Sequence, residues 1–341
     1  MRTIRLGASG IDVSAVGLGG IQFSKISARK TARILHEAID LGVTFLETAH
    51  GYFDSEEKIG AALGRRRRGV VLASKSGARD GKTFTAQLDE SLRRLRTDCI
   101  DIYQLHGVDS SEMLDQALRP RGAVHAAQKA IRQGKIRSPG ITSHSLALSL
   151  KAADMGLFES LQYPISLINT EVPRSGLLGK ARAAGVGLIA MKPLGGGRLS
   201  NARLALGYIY RFRGVVPVVG VETAEQVREL VRIASRPPKL TPKHFEAIRR
   251  LRRSVGTTFC RACRYCEPCP QDITIFRVLY FPVYVKQMGP KRVLKNGVPD
   301  WLARAETCTR CGRCERRCPF HLHIPDGLSS SLSLARRLLA R

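Results

Sequence analysis

Apolar runs of strand length alternate, from residue 13 to 234, with segments whose apolar positions recur every three or four residues. The runs are VSAVGLGG (13–20), TFLET (44–48), VVLASK (70–75), CIDIYQLH (99–106), IRSPGITS (136–143), SLQYPI (160–165), GLIAMKP (187–193) and VVPVVG (215–220). Between them, ARKTARILHEAIDLG places Ala32, Leu35, Ala38 and Ile39 on one face, which predicts a helix lying on a sheet. Gly42, Gly134, Gly156 and Gly185 each close such a segment, as left-handed helix caps do. Eight βα units in about 220 residues predict a closed (β/α)8 barrel rather than a doubly wound sheet. The first twelve residues predict a hairpin across the barrel bottom.

The pattern breaks at SRPPKLTP, where Pro237, Pro238 and Pro242 end the last helix and begin a linker. Beyond it come a basic helix (Lys243 to Ser254), a cysteine group, the apolar segment ITIFRVLYFPVYV, a Lys/Gly-rich stretch and a second cysteine group. The expected domains are therefore a barrel over 1–236, a linker and basic helix over 237–256, and a small, mainly helical domain over 257–341. No GxGxxG follows the first strand, because GLGG at Gly17 to Gly20 has the wrong spacing for a Rossmann turn.

Composition narrows the class. With 341 residues, 43% hydrophobic and 25% charged, the chain is neither disordered nor collagen-like. No apolar run approaches the roughly 18 residues of a membrane span, and MRTIRLGASG lacks the apolar stretch of a secretory signal. The expectation is a cytoplasmic protein without a membrane association. The formal charge of +28 is spread over both halves and, apart from Arg65 to Arg68, scattered. With 6% aromatic residues and no base-reading motif, a solvated Arg-rich surface or an acidic protein partner is favoured over nucleic acid.

In a parallel barrel the chemistry sits at the C-terminal strand ends. Four polar residues stand there: Glu47 at the end of the second run, Tyr52 in the loop after it, Lys75 at the end of the third and His106 at the end of the fourth. A lysine in that mouth needs an acid partner, and an adjacent strand supplies one in Glu47. A nearby cation favours the phenolate and so makes Tyr52 a better proton donor to a developing alkoxide. Singly, each residue has a structural reading, as an ion pair, a loop anchor or a core histidine. Jointly they form a coherent acid.

The segments ETAHGYFDSEEKIGAAL, VVLASKSG, DIYQLH, KIRSPGITSHS, MKPLGGGRL and PVVGVETAEQV resemble, in order and spacing, the aldo-keto reductase barrel over roughly residues 1–234. The resemblance implies that Tyr52 protonates a carbonyl oxygen with help from Lys75 and His106, Glu47 standing for the family's Asp. Hydride would come from a nicotinamide cofactor, NADH or NADPH, held extended without a Rossmann domain. It further implies that Ser143 and Gln162 hold the carboxamide, with His144 where an Asn is usual, and that Met191 replaces the stacking aromatic. Leu194 to Gly197, with Gly195, would lie along the pyrophosphate, and Gly220 through Gln226 would grip the adenosine end. Glu222 sits where a carboxylate would repel a 2′-phosphate.

Eight of nine cysteines fall in two groups. Cys308-x2-Cys311-x2-Cys314-x3-Cys318-Pro319 has the spacing of a bacterial ferredoxin run. Cys260-x2-Cys263-x2-Cys266-x2-Cys269-Pro270 has the same plan with a shorter last gap. Zinc is the competing occupant, but a ribbon needs four ligands, not eight. The ninth, Cys99, reads as a small buried hydrophobe on a strand. By analogy with two-cluster ferredoxins, Cys260, Cys263, Cys266 and Cys318 would hold one 4Fe-4S centre, and Cys308, Cys311, Cys314 and Cys269 another, a single centre in the last four remaining open. The whole chain resembles the aldo-keto reductases that carry a ferredoxin-type tail.

Two functions compete. One is an NAD(P)H-dependent oxidoreductase acting on a small-molecule carbonyl substrate, whose tail exchanges electrons with an acidic electron-transfer protein or senses oxidation. The other is a non-turnover ligand-binding or assembly protein with a degenerate barrel, a reading that Glu47 and Met191 favour.

Overall fold

A computed structural model of the chain describes residues 1–169, 171–255 and 259–340. Among the described residues ten strands are formed: β1 Thr3–Arg5, β2 Asp12–Ser14, β3 Gly17–Gly19, β4 Phe45–Glu47, β5 Val71–Ser76, β6 Ile100–Leu105, β7 Ile136–Thr142, β8 Ser160–Pro164, β9 Gly187–Met191 and β10 Val215–Gly220. Strands β3 to β10 close a parallel barrel, β10 pairing with both β9 and β3. Around them lie α1 (Ala28–Asp40), α2 (Ser55–Leu63), α3 (Gly81–Leu95), α4 (Ser111–Leu118), α5 (Ala123–Arg132), α6 (Leu146–Asp154), α7 (Leu177–Ala183), α8 (Ala202–Ile209) and α9 (Ala224–Ser235). The eight expected units are all present, and α4 is an addition to the fourth.

The first apolar run is divided, contrary to the single strand expected. Residues 12–14 pair with β1, and only Gly17–Gly19 enter the barrel. The Ser14 hydroxyl causes the corner: it donates to Val16 O at 2.7 Å and accepts from Thr44 N at 2.9 Å, replacing sheet bonds with its own. Gly17 is required beyond it, since a Cβ there would stand 2.5 Å from the Phe45 ring. The hairpin does close the barrel bottom. Leu6, Ile11 and Val13 pack in one core cluster with Phe45, Ala73, Ile102, Ile189, Val216 and Val218.

In α1 the buried face is Thr31, Ile34, Leu35 and Ala38, while Ala32 and Ile39 lie half-buried on its flanks. Ser27 caps this helix by accepting from Lys30 N at 3.2 Å. Gly42, Gly134, Gly156 and Gly185 all have positive φ, between 63° and 86°, as their capping role requires. Cys99 is half-buried just ahead of β6 rather than within it. Within the Arg65–Arg68 run, Arg66 and Arg67 are ion-paired to Asp40 and Asp101.

The chain divides into two compact units, Met1–His244 and Phe245–Arg341. The division falls inside α10 (Pro242–Val255). The boundary expected at residues 256 and 257 lies outside the described residues. The second unit contains α11 (Ile275–Leu279), α12 (Phe281–Met288), α13 (Pro290–Val293), α14 (Asp300–Ala303), α15 (Arg313–Arg317) and α16 (Ile324–Leu339). Its own core joins Ile273, Ile275, Val278 and Phe281 to Leu302, Ile324, Leu328 and Leu332. Among the described residues no helix is long and apolar enough to cross a membrane.

Candidate active site and cysteine centres

Register builds the barrel mouth. Glu47 ends β4 opposite Ala73, and Lys75 stands two residues further along β5. Beyond Glu47 the chain keeps following β5, Thr48 N donating to Ala73 O at 2.8 Å and His50 N to Lys75 O at 3.0 Å. A turn closed by Tyr52 N on Ala49 O then brings Tyr52 back over the mouth. Lys75 Nζ ends 4.8 Å from the centre of the Tyr52 ring, and the His106 ring meets that ring edge-on at 5.7 Å.

Lys75 is 1% exposed and Glu47 4%. Their ion pair is 2.5 Å, and Lys75 Nζ also donates to Thr48 O at 2.6 Å. The extra methylene of Glu47 relative to Asp is thus absorbed without loss of the pair. Burial pulls the Lys75 ammonium below its ordinary range, and Glu47, with the buried Glu56 behind it, acts in the opposite direction. Burial and then the Lys75 charge push the His106 imidazolium down to about 3. Although half-buried by surface exposure, His106 is therefore neutral at physiological pH.

Gln162 carries information about a ligand. Its Nε2 donates to Glu47 Oε1 at 2.8 Å, and a carboxylate can only accept, so the amide's orientation is fixed. Its Oε1 is left buried without a hydrogen-bond partner. A primary carboxamide presenting an N–H there would satisfy it, so the residues present fit a nicotinamide.

Ser143 follows β7 and donates weakly to Asp109 Oδ1 at 3.3 Å. His144 is tied on both ring nitrogens, Nδ1 to Asp109 at 3.2 Å and Nε2 to Lys192 at 2.9 Å. With Asp109 accepting at Nδ1, Nε2 accepts from the ammonium. Met191 is half-buried at the end of β9. Leu194 to Gly197 form consecutive tight turns, with Gly195, Gly196 and Gly197 all at positive φ and bonds from Gly195 N to Lys192 O and Gly197 N to Leu194 O. Gly220 ends β10 against the Gln22 side chain. Gln226, in the first turn of α9, accepts from Glu222 N at 2.7 Å, and the Glu222 carboxylate pairs with Lys25 at 2.6 Å.

Asp109, Lys192 and Glu56 were not singled out from sequence. Lys192 sits inside the MKPLGGG segment and Asp109 three residues past His106, so adjacency to strand ends was the available signal.

The cysteine groups share a backbone plan. The second and fourth residues after the first cysteine are left-handed in both loops: Ala262 and Arg264 at φ 59° and 65°, Arg310 and Gly312 at 54° and 71°. Three residues after each Cys-Pro cysteine, Asp272 and His321 are left-handed as well, at 53° and 50°. Three residues further on, α11 begins at Ile275 and α16 at Ile324. One cavity is lined by Cys260, Cys263, Cys266 and Cys318. A second is lined by Cys269, Cys308, Cys311 and Cys314, and Cys266 lines both. Burial, and then Cys260 and Glu267, raise the Cys266 thiol, with Cys263 and Cys318 acting the same way. Among the described residues no three Cys, His, Asp or Glu side chains converge on a single-ion point. The eight thiols thus offer each of two cavities at least four donors, a set that fits a cubane with one cysteine per iron.

The parallel barrel and the cysteine-rich helical tail each match a known family. The sequence model of the Aldo/keto reductase family matches residues 15–204, more than half of the chain. The chain belongs to that family, and residues 259–323 match a 4Fe-4S dicluster domain. An uncharacterized oxidoreductase of Bacillus subtilis, YqkF, is 37% identical over 157 residues, 42% of this chain and 49% of that protein. The chain thus spans about half the length of that curated relative. Among solved structures, the holo form of aldo-keto reductase AKR11C1 from Bacillus halodurans is 25% identical with a TM-score of 0.65, covering 74% of this chain and 96% of that one. An aldo-keto reductase from Klebsiella pneumoniae, solved in complex with NADPH, shares the fold at 24% identity and a TM-score of 0.63, covering 74% and 95%.

Proposed function

We propose that the barrel reduces a small-molecule carbonyl to an alcohol, with Tyr52 as proton donor, and that the tail holds two 4Fe-4S centres that exchange single electrons with a carrier protein. The observation that carries the reductase reading is the buried Lys75 ammonium, paired with Glu47 at 2.5 Å and 4.8 Å from the Tyr52 ring. A nicotinamide cofactor bound in the mouth supplies the hydride that becomes the new C–H bond at the carbonyl carbon. As negative charge gathers on the carbonyl oxygen, Tyr52 gives its proton to that oxygen. Lys75 stabilises the charge left on the phenol, and Glu47 keeps Lys75 protonated in spite of burial. Neutral His106 offers an N–H to orient the carbonyl without adding a second cation.

Gln162 Oε1 and Ser143 are proposed to hold the carboxamide, Met191 to pack on the ring, and Leu194 to Gly197 to follow the pyrophosphate. His144, bound at both ring nitrogens, positions Lys192 at the start of that loop. Gly220 and Gln226 shape the adenosine end. Lys25 offsets the Glu222 charge, so NADPH, which the Klebsiella protein binds, is the proposed cofactor. In the tail, Cys260, Cys263, Cys266 and Cys318 are assigned to one centre and Cys269, Cys308, Cys311 and Cys314 to the other. Such centres supply one-electron transfer when bound. The Glu47 departure that favoured a ligand-holding barrel is met by an intact ion pair, which supports turnover.

Tyr52→Phe tests the assignment in the full chain, assayed as NADPH consumption with a reactive aldehyde. Loss of the acid lowers kcat by about 10²–10⁴ while NADPH binding is unchanged. Retention of kcat within about threefold rejects Tyr52 as the donor.

A further inference from the structure

The two cysteine sets differ in what surrounds them. In the first loop the arginines are turned inward: Arg261 stacks 3.7 Å from the centre of the Phe320 ring, and Arg264 pairs with Glu267 at 2.6 Å and lies over Phe276. Both are half-buried, and two of that set's four cysteines, Cys266 and Cys318, are buried. In the second loop Cys311 is exposed. Arg310, Arg313, Arg316 and Arg317 are exposed as well, against a single acidic residue, Glu315, between Cys308 and Cys318. Arg310 is ion-paired to Asp326 on α16, and Arg317 donates to Pro268 O at 3.4 Å. Arg313 and Arg316 have no ion-pair partner among the described residues.

We propose that the exposed face of the Cys308–Cys318 loop and α15 is the docking site of an acidic one-electron carrier protein, and that the electron crosses at the set Cys269, Cys308, Cys311 and Cys314. The inference rests on the proposal that these cysteines hold a 4Fe-4S centre. Two lines of physics lead to it. Tunnelling falls steeply with distance, so the set with an exposed thiol is the one a protein-bound partner can approach. Unpaired surface guanidinium groups add little to folding stability, yet they steer and orient an oppositely charged partner. The exchange is balanced: the carrier loses one electron and the centre gains it, or the reverse, with no bond made or broken and no proton moved.

The test uses the full iron-loaded chain under anaerobic conditions, with a purified acidic flavodoxin as the probe. Affinity is measured by calorimetry at low and at moderate salt, and electron exchange by stopped-flow absorbance. The charge-reversed pair Arg313→Glu, Arg316→Glu is compared with Arg182→Glu, Arg213→Glu. The latter are exposed arginines of the barrel unit, also without an ion-pair partner among the described residues, and carry the same charge change. Iron content and visible spectra establish that each variant is loaded, and Arg313→Gln, Arg316→Gln serves as the milder form. The expected result is salt-sensitive binding, weakened about tenfold or more by reversal at 313 and 316, less by the Gln pair, and by under about threefold by the barrel pair. Equal weakening by the two Glu pairs overturns the docking face. Binding and electron exchange that ignore Arg313 and Arg316 also overturn it, while leaving the carrier reading intact. No flavodoxin binding by the wild-type chain removes both. Tighter binding to duplex DNA, lost with the same pair, replaces the carrier with nucleic acid.

Discussion

Replacing Lys75 by Met exposes the energetic role of the buried pair. The side chains are 2% and 5% exposed, and Glu47 would keep only the Gln162 amide as a partner. Removing one member of a buried ion pair costs about 3–5 kcal/mol, because the other charge stays dehydrated and uncompensated. For a domain of this size each kcal/mol moves Tm by about 2–4 °C, so the barrel's transition should fall by roughly 6–20 °C. Lys75→Met combined with Glu47→Leu removes both charges, and apolar replacement of an entire pair is often neutral or stabilising. The freed Gln162 Nε2 and Thr48 O set back about 1–3 kcal/mol. The double variant therefore recovers most of the loss in stability, while both variants lose kcat by about 10²–10⁴. Thermal unfolding by circular dichroism, beside NADPH consumption with an aldehyde, separates the two effects. A single variant as stable as the wild-type protein, or a double variant that still turns over, refutes the reasoning.

The depressed His106 pKa, about 3, fixes a pH dependence. Below about 6.5 the unfolded chain takes up a proton that the folded ring refuses, so stability is full above that pH and is lost progressively as pH falls toward 3. Urea midpoints measured from pH 7 to 4 should fall less steeply in His106→Gln, and the wild-type kcat should show no histidine ionisation between pH 5 and 8. An unchanged slope in the variant contradicts the assignment. The cysteine partition predicts that Cys260→Ser with Cys318→Ser removes about four irons of about eight, the two changes falling on one centre. Loss of all iron from that pair, read by iron assay and electron paramagnetic resonance, supports the unswapped partition instead.

Much of the barrel was legible because its signals are local. A glycine that must adopt positive φ marks each helix end at Gly42, Gly134, Gly156 and Gly185, whatever the rest of the chain does. The corner at Ser14 was not legible, because a serine inside an apolar run signals a turn only once Thr44 stands beside it. The strand-end residues Glu47, Lys75 and His106 could be named from position. Their geometry could not, since Lys75 lies two residues beyond the layer of Glu47 and meets it only through side-chain length. The Asp109–His144–Lys192 chain stayed hidden for a related reason: its members come from three different βα units and meet only when the barrel closes. In the tail, spacing named all eight cysteines, but which four share a cavity depends on how the two loops pack, which spacing does not encode.

The central claim is that hydride passes, in this barrel mouth, from a nicotinamide to a carbonyl carbon while Tyr52 protonates the oxygen. It is tested most directly by supplying NADPH deuterated at the transferring C4 position, together with an aldehyde, and analysing the alcohol by mass spectrometry. The account predicts one deuterium at the carbinol carbon in the wild-type product, formed far more slowly by Tyr52→Phe. An alcohol without deuterium at that carbon, or label transfer indifferent to Tyr52, would contradict it.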